Sequence, residues 1–309
     1  MEKRKMISKI ISKIISMFLV SMIFAVSAQP SHPKHTFRFI VPSSPGTAAA
    51  IYLDIYSKCF VENNIAVLRE YKPGGELRVA FNDWMTRKDS ENLTNIYLGF
   101  SVTNFFADWE GVNFEKDTEV ISFMGTWPHV IVSNADKNYS LNDLREISKS
   151  RPINIGIAQP MDAYILDKIS QKLNIKFLSV NYKTTPNAHN DLLGNHIDLW
   201  IGSYPSQKAL IDAKKLNIVF STESEEIAQK NGYESLLKIS NDLANMPIGL
   251  LISVRPTVPT QIKDLLTSTM NSCNRDIYVI NELAKYNGKP LPLSSTKINQ
   301  LIKIVRGSK

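Results

Sequence analysis

The side chains best placed for chemistry are hydroxyls, amides and one cation, spread over loops rather than gathered as acid, base and nucleophile. Ser43, Ser44 and Thr47 belong to the run Pro42-Ser43-Ser44-Pro45-Gly46-Thr47, between an apolar stretch and an amphipathic one. Ser101, Thr103 and Asn104 follow an apolar run at 96–99, and Gln159 follows another at 153–157. Tyr182, Lys183, Thr184 and Thr185 form the last group. Such residues hydrogen-bond a small polar molecule but are neither strong bases nor activated nucleophiles by themselves. In residues 42–50 the backbone adds to them. A chain that leaves a strand and enters a helix presents unpaired N–H groups and the positive end of the helix dipole, a ready site for a carboxylate. Gly46 lets that backbone approach a ligand closely.

Enzymatic and metal readings have weaker support. Gly99-Phe100-Ser101-Val102-Thr103 shares the first half of the G-x-S-x-G nucleophile elbow but lacks the second glycine, so no catalytic residue is assigned. His189, Asp191, His196 and Asp198 straddle a predicted helix end at Gly194. Their spacing does not bring both imidazoles to one face, so neither a metal nor a cofactor is expected. Cys59 and Cys273 are far apart in sequence. Two buried thiols are the expectation and a disulfide the alternative, because spacing alone does not show that the Cα atoms approach.

The N-terminus reads as a cleaved secretory signal. Lys3, Arg4, Lys5, Lys9 and Lys13 precede an apolar run at 14–26 and the small-residue triplet Val26-Ser27-Ala28. The run is shorter than the roughly 20 residues that span a bilayer. Cleavage near Ala28 predicts a periplasmic protein. It also removes five basic residues and one acidic one, lowering the formal charge from +7 to +3. Such a residual charge, with no basic stripe, excludes nucleic acid as the expected partner and leaves a mild bias toward small anions.

The elements that must position the loops alternate. Strands are predicted at 37–41, 66–71, 96–99, 120–124 and 129–133, with helices opening after residues 46 and 75. Ser140 and Asp143 form a capping box, followed by a strand at 153–157 and a helix at 161–172. From Asn181 to Thr222 a strand ends at Tyr182-Lys183, a short helix stops at Gly194 and a strand restarts at 197–201, with another helix and strand beyond. An apolar strand at 248–254 leads into a helical tail containing Ile262, Leu265 and Leu266. This rhythm argues for mostly parallel sheets covered by helices, with ligands at the carboxyl ends of the strands.

The order of these motifs resembles the extracytoplasmic solute receptors of tripartite tricarboxylate transporters, the Bug family. The likeness rests on Val41-Pro42-x-x-Pro45-Gly46, the Pro73-Gly74-Gly75 turn, Tyr182-Lys183, Asp191-Leu192-Leu193-Gly194-x-x-Ile197-Asp198 and Lys214-Lys215-Leu216-Asn217-Ile218-Val219-Phe220. It implies an α/β, two-lobed type II periplasmic-binding-protein fold, each lobe a mostly parallel sheet flanked by helices. The chain would cross twice between lobes, giving residues 1–28 as signal peptide, 29–128 with 249–309 as a discontinuous first lobe, and 129–248 as the second. It further implies a monomer that closes on a small carboxylate solute and passes it to the transporter's membrane subunits. Ligand-binding residues would be Ser43, Ser44, Gly46, Thr47, Ser101, Thr103, Asn104, Gln159, Tyr182, Thr184 and Thr185. The sequence departs from the family at Thr47, Ala50 and Thr184, where Gly, Asp and Gly are usual, and at Pro160-Met161-Asp162, where small residues are usual. Those departures put a typical di- or tricarboxylate in doubt, and they motivate the alternative of a receptor-like protein that signals to or scaffolds a membrane partner. Asp162 would repel a carboxylate unless it caps its own helix.

Overall fold

The computed structural model describes residues 33–100, 112–239 and 248–292, with 297 and 300. The predicted alternation appears with longer elements. β1 (His35–Val41), α1 (Ala48–Glu62), β2 (Ile65–Tyr71), α2 (Arg78–Thr86) and β3 (Leu93–Phe100) come first. A single turn, α3 (Phe114–Asp117), precedes β4 (Glu119–Thr126). Next are β5 (His129–Asn134), α4 (Leu141–Ser150), β6 (Ile153–Ile157), α5 (Pro160–Leu173) and β7 (Phe177–Asn181). They are followed by α6 (Thr185–Leu193), β8 (Leu199–Ser203), α7 (Tyr204–Asp212), β9 (Leu216–Ser221), α8 (Glu225–Asn231) and β10 (Glu234–Ser235). β11 (Gly249–Val254), α9 (Thr260–Cys273) and α10 (Ile277–Ala284) complete the set.

Two sheets result, ordered β2-β1-β3-β11-β4 and β10-β9-β5-β8-β6-β7. β1 runs parallel to β2 and β3, and β6 parallel to β7 and β8. The exceptions are β11, antiparallel to β3 and β4, and β5, antiparallel to β8 and β9. Each is the first strand after a passage from one sheet to the other. Without a helical crossover inside its own sheet, such a strand is not constrained to be parallel.

Side-chain alternation divides the apolar residues among three clusters. From β1, Phe37, Phe39 and Val41 pack with α1, α9 and α10, while Ile40 faces the other way. In β5, Val130 and Val132 join Trp200 on one face while Ile131 joins Leu199 and Ile201 on the other. The cluster holding Ile40 and Ile131 takes residues from both sheets, which ties the two lobes into one body. Strands covered on both faces read as nearly continuous apolar runs, which is why 37–41 and 248–254 were so visible.

The passages between sheets are tightly packed. Thr126 N–H donates to Lys289 O at 2.9 Å and Trp127 N–H to Ile248 O at 3.1 Å. A Cβ on Gly249 would lie 2.0 Å from Gly125 O, so this strand start admits only glycine without a backbone shift. Glu223, almost fully buried beyond β9, accepts hydrogen bonds from Ser221 and Tyr233, and from Asn287 Nδ2 at 2.9 Å.

One expectation is corrected. Cys59 and Cys273 are joined in a disulfide with Cα atoms 5.7 Å apart. Helix α1 buries Cys59 on the face it turns to α9, which brings it to Cys273 across 214 residues of chain. The capping box at α4 is as predicted, with Asp143 N–H donating to Ser140 Oγ and Ser140 N–H to Asp143 Oδ2.

Candidate functional site

A cavity of about 310 Å³ lies where loops from both sheets meet, a size in the range of small-molecule sites. The first lobe contributes the loop after β1, with Ser43, Ser44, Thr47 and Ala48, and the Gly74-Gly75-Glu76-Leu77 turn after β2. From the second come Gln159 and Asp162 after β6, residues 181–185 at the end of β7, and residues 200–203 of β8 with Ser206 in the first turn of α7. All five are carboxyl ends of strands, as the open α/β rule requires.

In the first loop Gly46 takes φ +81°, a left-handed conformation that turns the chain into α1. The cavity wall passes from Ser44 to Thr47 without Gly46. Thr47 Oγ1 donates to Ser44 O at 2.8 Å and therefore accepts from Ser43 Oγ at 2.7 Å, so both hydroxyl protons are used inside the loop. The backbone is what remains for a ligand. Ala48 N–H donates to Ser206 Oγ of the second lobe at 2.9 Å, and Ser206 Oγ lies 2.5 Å from Ser203 Oγ. The amides of Ala49 and Ala50 stand in the first turn of α1, beyond reach of any earlier helical carbonyl.

The opposing loop, at the start of α5, is arranged differently. Asp162 does cap its own helix: Oδ2 accepts from the N–H groups of Ala158 and Gln159 at 2.9 and 3.1 Å. Its Oδ1 accepts from Gln159 Nε2 at 3.2 Å and pairs with His129 Nε2 at 2.8 Å. His129 and Asp162 are both buried, and His129 Nδ1 has no hydrogen-bond partner.

On the third loop the Tyr182 hydroxyl donates to Asp191 Oδ2 at 2.6 Å. Burial and that bond push the phenol up to about 12, and the same bond holds the Asp191 carboxyl below its usual range. Tyr182 therefore offers the cavity its ring, which meets Trp200 edge-on with centroids 6.0 Å apart. Thr184 is the N-cap residue of α6 and Thr185 its first residue, and both line the cavity. His189 meets Trp200 edge-on at 6.3 Å between centroids, and burial lowers its imidazole to about 4.

Of the residues singled out in the sequence, the cavity brings together Ser43, Ser44, Thr47, Gln159, Tyr182, Thr184 and Thr185. Ser101, Thr103 and Asn104 lie outside the described residues. The lining also includes Gly74 and Gly75, Asn181, Trp200, Ser203 and Ser206, which were not singled out as binding residues. The strand-end rule, applied to β2, β7 and β8, would have found all of these but Trp200, which lies inside β8. Among the described residues no group of three His, Cys, Asp or Glu could hold a metal. Asp198 instead pairs with Arg151 at 2.6 Å, and His196 lies 3.4 Å from Asp191 at the surface. No described helix is long and apolar enough to cross a membrane.

Two sheets joined by double passages, with a cavity between their loops, make up the fold also seen in two-lobed periplasmic binding proteins. Among solved structures, the periplasmic binding protein BugD matches at a TM-score of 0.76 and 17% identity, over 89% of this chain and 97% of that one. An R. palustris protein solved with adipate matches at a TM-score of 0.74 and 14% identity, over 91% and 95%. In sequence, a UPF0065 protein of the tcbD-tcbE intergenic region in Pseudomonas sp. (strain P51) is 23% identical over 209 residues. That match spans 64% of this chain and 61% of the Pseudomonas protein. No family model matches the chain. The fold is that of these periplasmic binding-protein structures, which is the fold that the resemblance in sequence implied.

Proposed function

We propose that the protein is a periplasmic receptor that captures a small carboxylated solute between its lobes and delivers it to a tripartite tricarboxylate-type transporter without transforming it. Residues 1–28 are removed as the signal, residues 29–128 with 249–309 form the first lobe, and 129–248 form the second. The observation that carries this reading is the cavity between two opposed strand-to-helix loops, with Thr47 and Ala48 at the start of α1 in its wall. Backbone amides at a helix N-terminus favour a carboxylate by both hydrogen bonding and dipole. Ser43 and Thr47 shape that loop, Gln159, Tyr182, Thr184 and Thr185 supply the facing wall, and Ser206 brings the second lobe onto α1. The adipate in the R. palustris protein is a ligand of the proposed chemical class.

Thermal-shift screening of the mature protein against mono-, di- and tricarboxylates tests the reading. A ligand at 100 times its dissociation constant should stabilise by about 2.7 kcal/mol. Small-angle scattering with the strongest hit should show whether the lobes close further. Absence of stabilisation by every carboxylate, or reproducible turnover of one, would overturn it. The signalling alternative predicts binding to a membrane partner in pull-downs without the transporter's subunits.

A further inference from the structure

The two ends of the cavity differ in the donors they leave free, and that difference selects among carboxylates; the inference rests on the reading that one carboxylate sits at the start of α1. At the start of α5 the amides of Ala158 and Gln159 are already bonded to Asp162, 2.9 and 3.1 Å away. The side chain is 1% exposed and accepts from His129 and Gln159 through its other oxygen. A ligand carboxylate here would find those two amides taken and would meet carboxylate oxygens, which accept rather than donate. Glu76 and Lys183 also line the cavity, but both are exposed and opposite in sign.

One lining side chain and a buried neighbour behind the lining carry donors without partners. Trp200 lines the cavity, is 2% exposed, and its indole Nε1 has no hydrogen-bond partner. Gln207 is fully buried, and neither atom of its amide is bonded. Both border Gly202, another lining residue: a Cβ there would stand 3.1 Å from Trp200 Nε1 and 3.3 Å from Gln207 Nε2. Glycine therefore keeps open the approach to two uncharged groups whose unmet hydrogen bonds are costly in a dry interior.

We infer that the ligand is a monocarboxylate whose far end carries an uncharged hydrogen-bond acceptor, such as a primary amide, seated against Trp200 and Gln207. The carboxylate goes to the first lobe, and Asp162 occupies the position a second one would need.

Calorimetry on the mature protein with two matched series tests this. The probes are adipate, its monoamide adipamate, and hexanoate, and in parallel terephthalate, 4-carbamoylbenzoate and 4-methylbenzoate. In whichever series binds, the monoamide should exceed the dicarboxylate at least tenfold and the methyl compound about fivefold. Trp200→Phe, which keeps an aromatic ring but removes the donor, should cut monoamide affinity about fivefold while leaving the methyl compound unchanged. Asp162→Ala should narrow or reverse the preference over the dicarboxylate; should that variant not fold, the wild-type ranking decides alone. A dicarboxylate that binds as tightly as its monoamide overturns the inference and leaves the carboxylate receptor standing. A monoamide no better than the methyl compound also overturns it. Should none of the six bind, the inference falls, while the carboxylate reading is decided by the wider thermal-shift screen.

Discussion

The loops that open α1 and α5 face one another as the same local device with opposite outcomes. Each leaves a buried strand and delivers a helix N-terminus to the cavity. At α1, three consecutive alanines supply no side-chain acceptor of their own, Ala48 N–H reaches only the Ser206 hydroxyl of the second lobe, and the neighbouring hydroxyls of Ser43 and Thr47 bond each other and Ser44 O. At α5, Asp162 supplies an internal carboxylate that takes the amides itself. A helix N-terminus is therefore an anion site only while the chain does not fill it, and one residue three positions into the helix decides which. The helices are anchored differently as well: α1 by the Cys59–Cys273 disulfide near its far end, α5 by the buried His129–Asp162 contact at its start.

Removing the covalent anchor should have the largest effect. Closing a loop of this length is worth about 5 kcal/mol in the chain-entropy model. Cys59→Ser should then lower unfolding stability by up to about that much in urea titrations, and dithiothreitol should reproduce the loss in the wild type. A variant as stable as the wild type would mean that packing alone holds α1 in place.

Asp162→Ala attacks the other anchor. It leaves two amides and a buried imidazole without their acceptor, which should cost about 3 kcal/mol of stability. The midpoint of urea unfolding measures it. A loss below about 1 kcal/mol would show that water replaces the carboxylate easily, and the contrast between the loops would shrink.

A pH series examines the second-lobe wall. Burial holds His189 at about 4 in the folded protein, against about 6.5 unfolded. As pH falls below 6.5 the unfolded chain gains a proton that the folded one refuses until about 4, so stability is lost across that window. Relative to His189→Phe, the wild type should weaken between pH 7 and pH 5. A constant gap between the two would show that His189 is solvated when folded.

Smaller effects are expected in the first loop. Gly46 has φ +81° with nothing within 4 Å of where a Cβ would sit, so Gly46→Val acts through backbone strain rather than collision. It should cost about 1 to 2 kcal/mol of stability and, by tilting the turn, weaken carboxylate binding strongly in calorimetry. Unchanged affinity in a folded variant would move the anion site elsewhere. Thr47→Ala removes the hydrogen bond to Ser44 O and should lower stability by about 1 kcal/mol. An effect on affinity much larger than that on stability would instead give the hydroxyl a direct ligand contact.

Much of the fold was legible because its signals are local. The strands at 153–157 and 129–133 stood out as apolar runs, and Ser140-Asp143 and Gly194 marked helix ends through capping chemistry that depends only on near neighbours. Seven of the proposed site residues reached the cavity because strand-to-helix loops are recognisable one at a time. Trp200, Gly202 and Gln207 were not singled out for the site: an apolar run followed by Ser-Tyr-Pro reads as core and turn, and nothing local reveals a donor left unbonded.

The sequence by itself determined most of the strands and helices and which loops carry hydroxyls and amides, and it left Asp162 to face a ligand or cap its own helix. Tertiary structure alone decided that Cys273 arrives beside Cys59, that His129 backs Asp162 from another strand, and that Ser206 reaches across to Ala48. The reason is range. Caps and side-chain periodicity act over a few residues, where the backbone fixes the geometry. Contacts across 214, 33 and 158 positions instead depend on how two sheets pack, which no local spacing encodes.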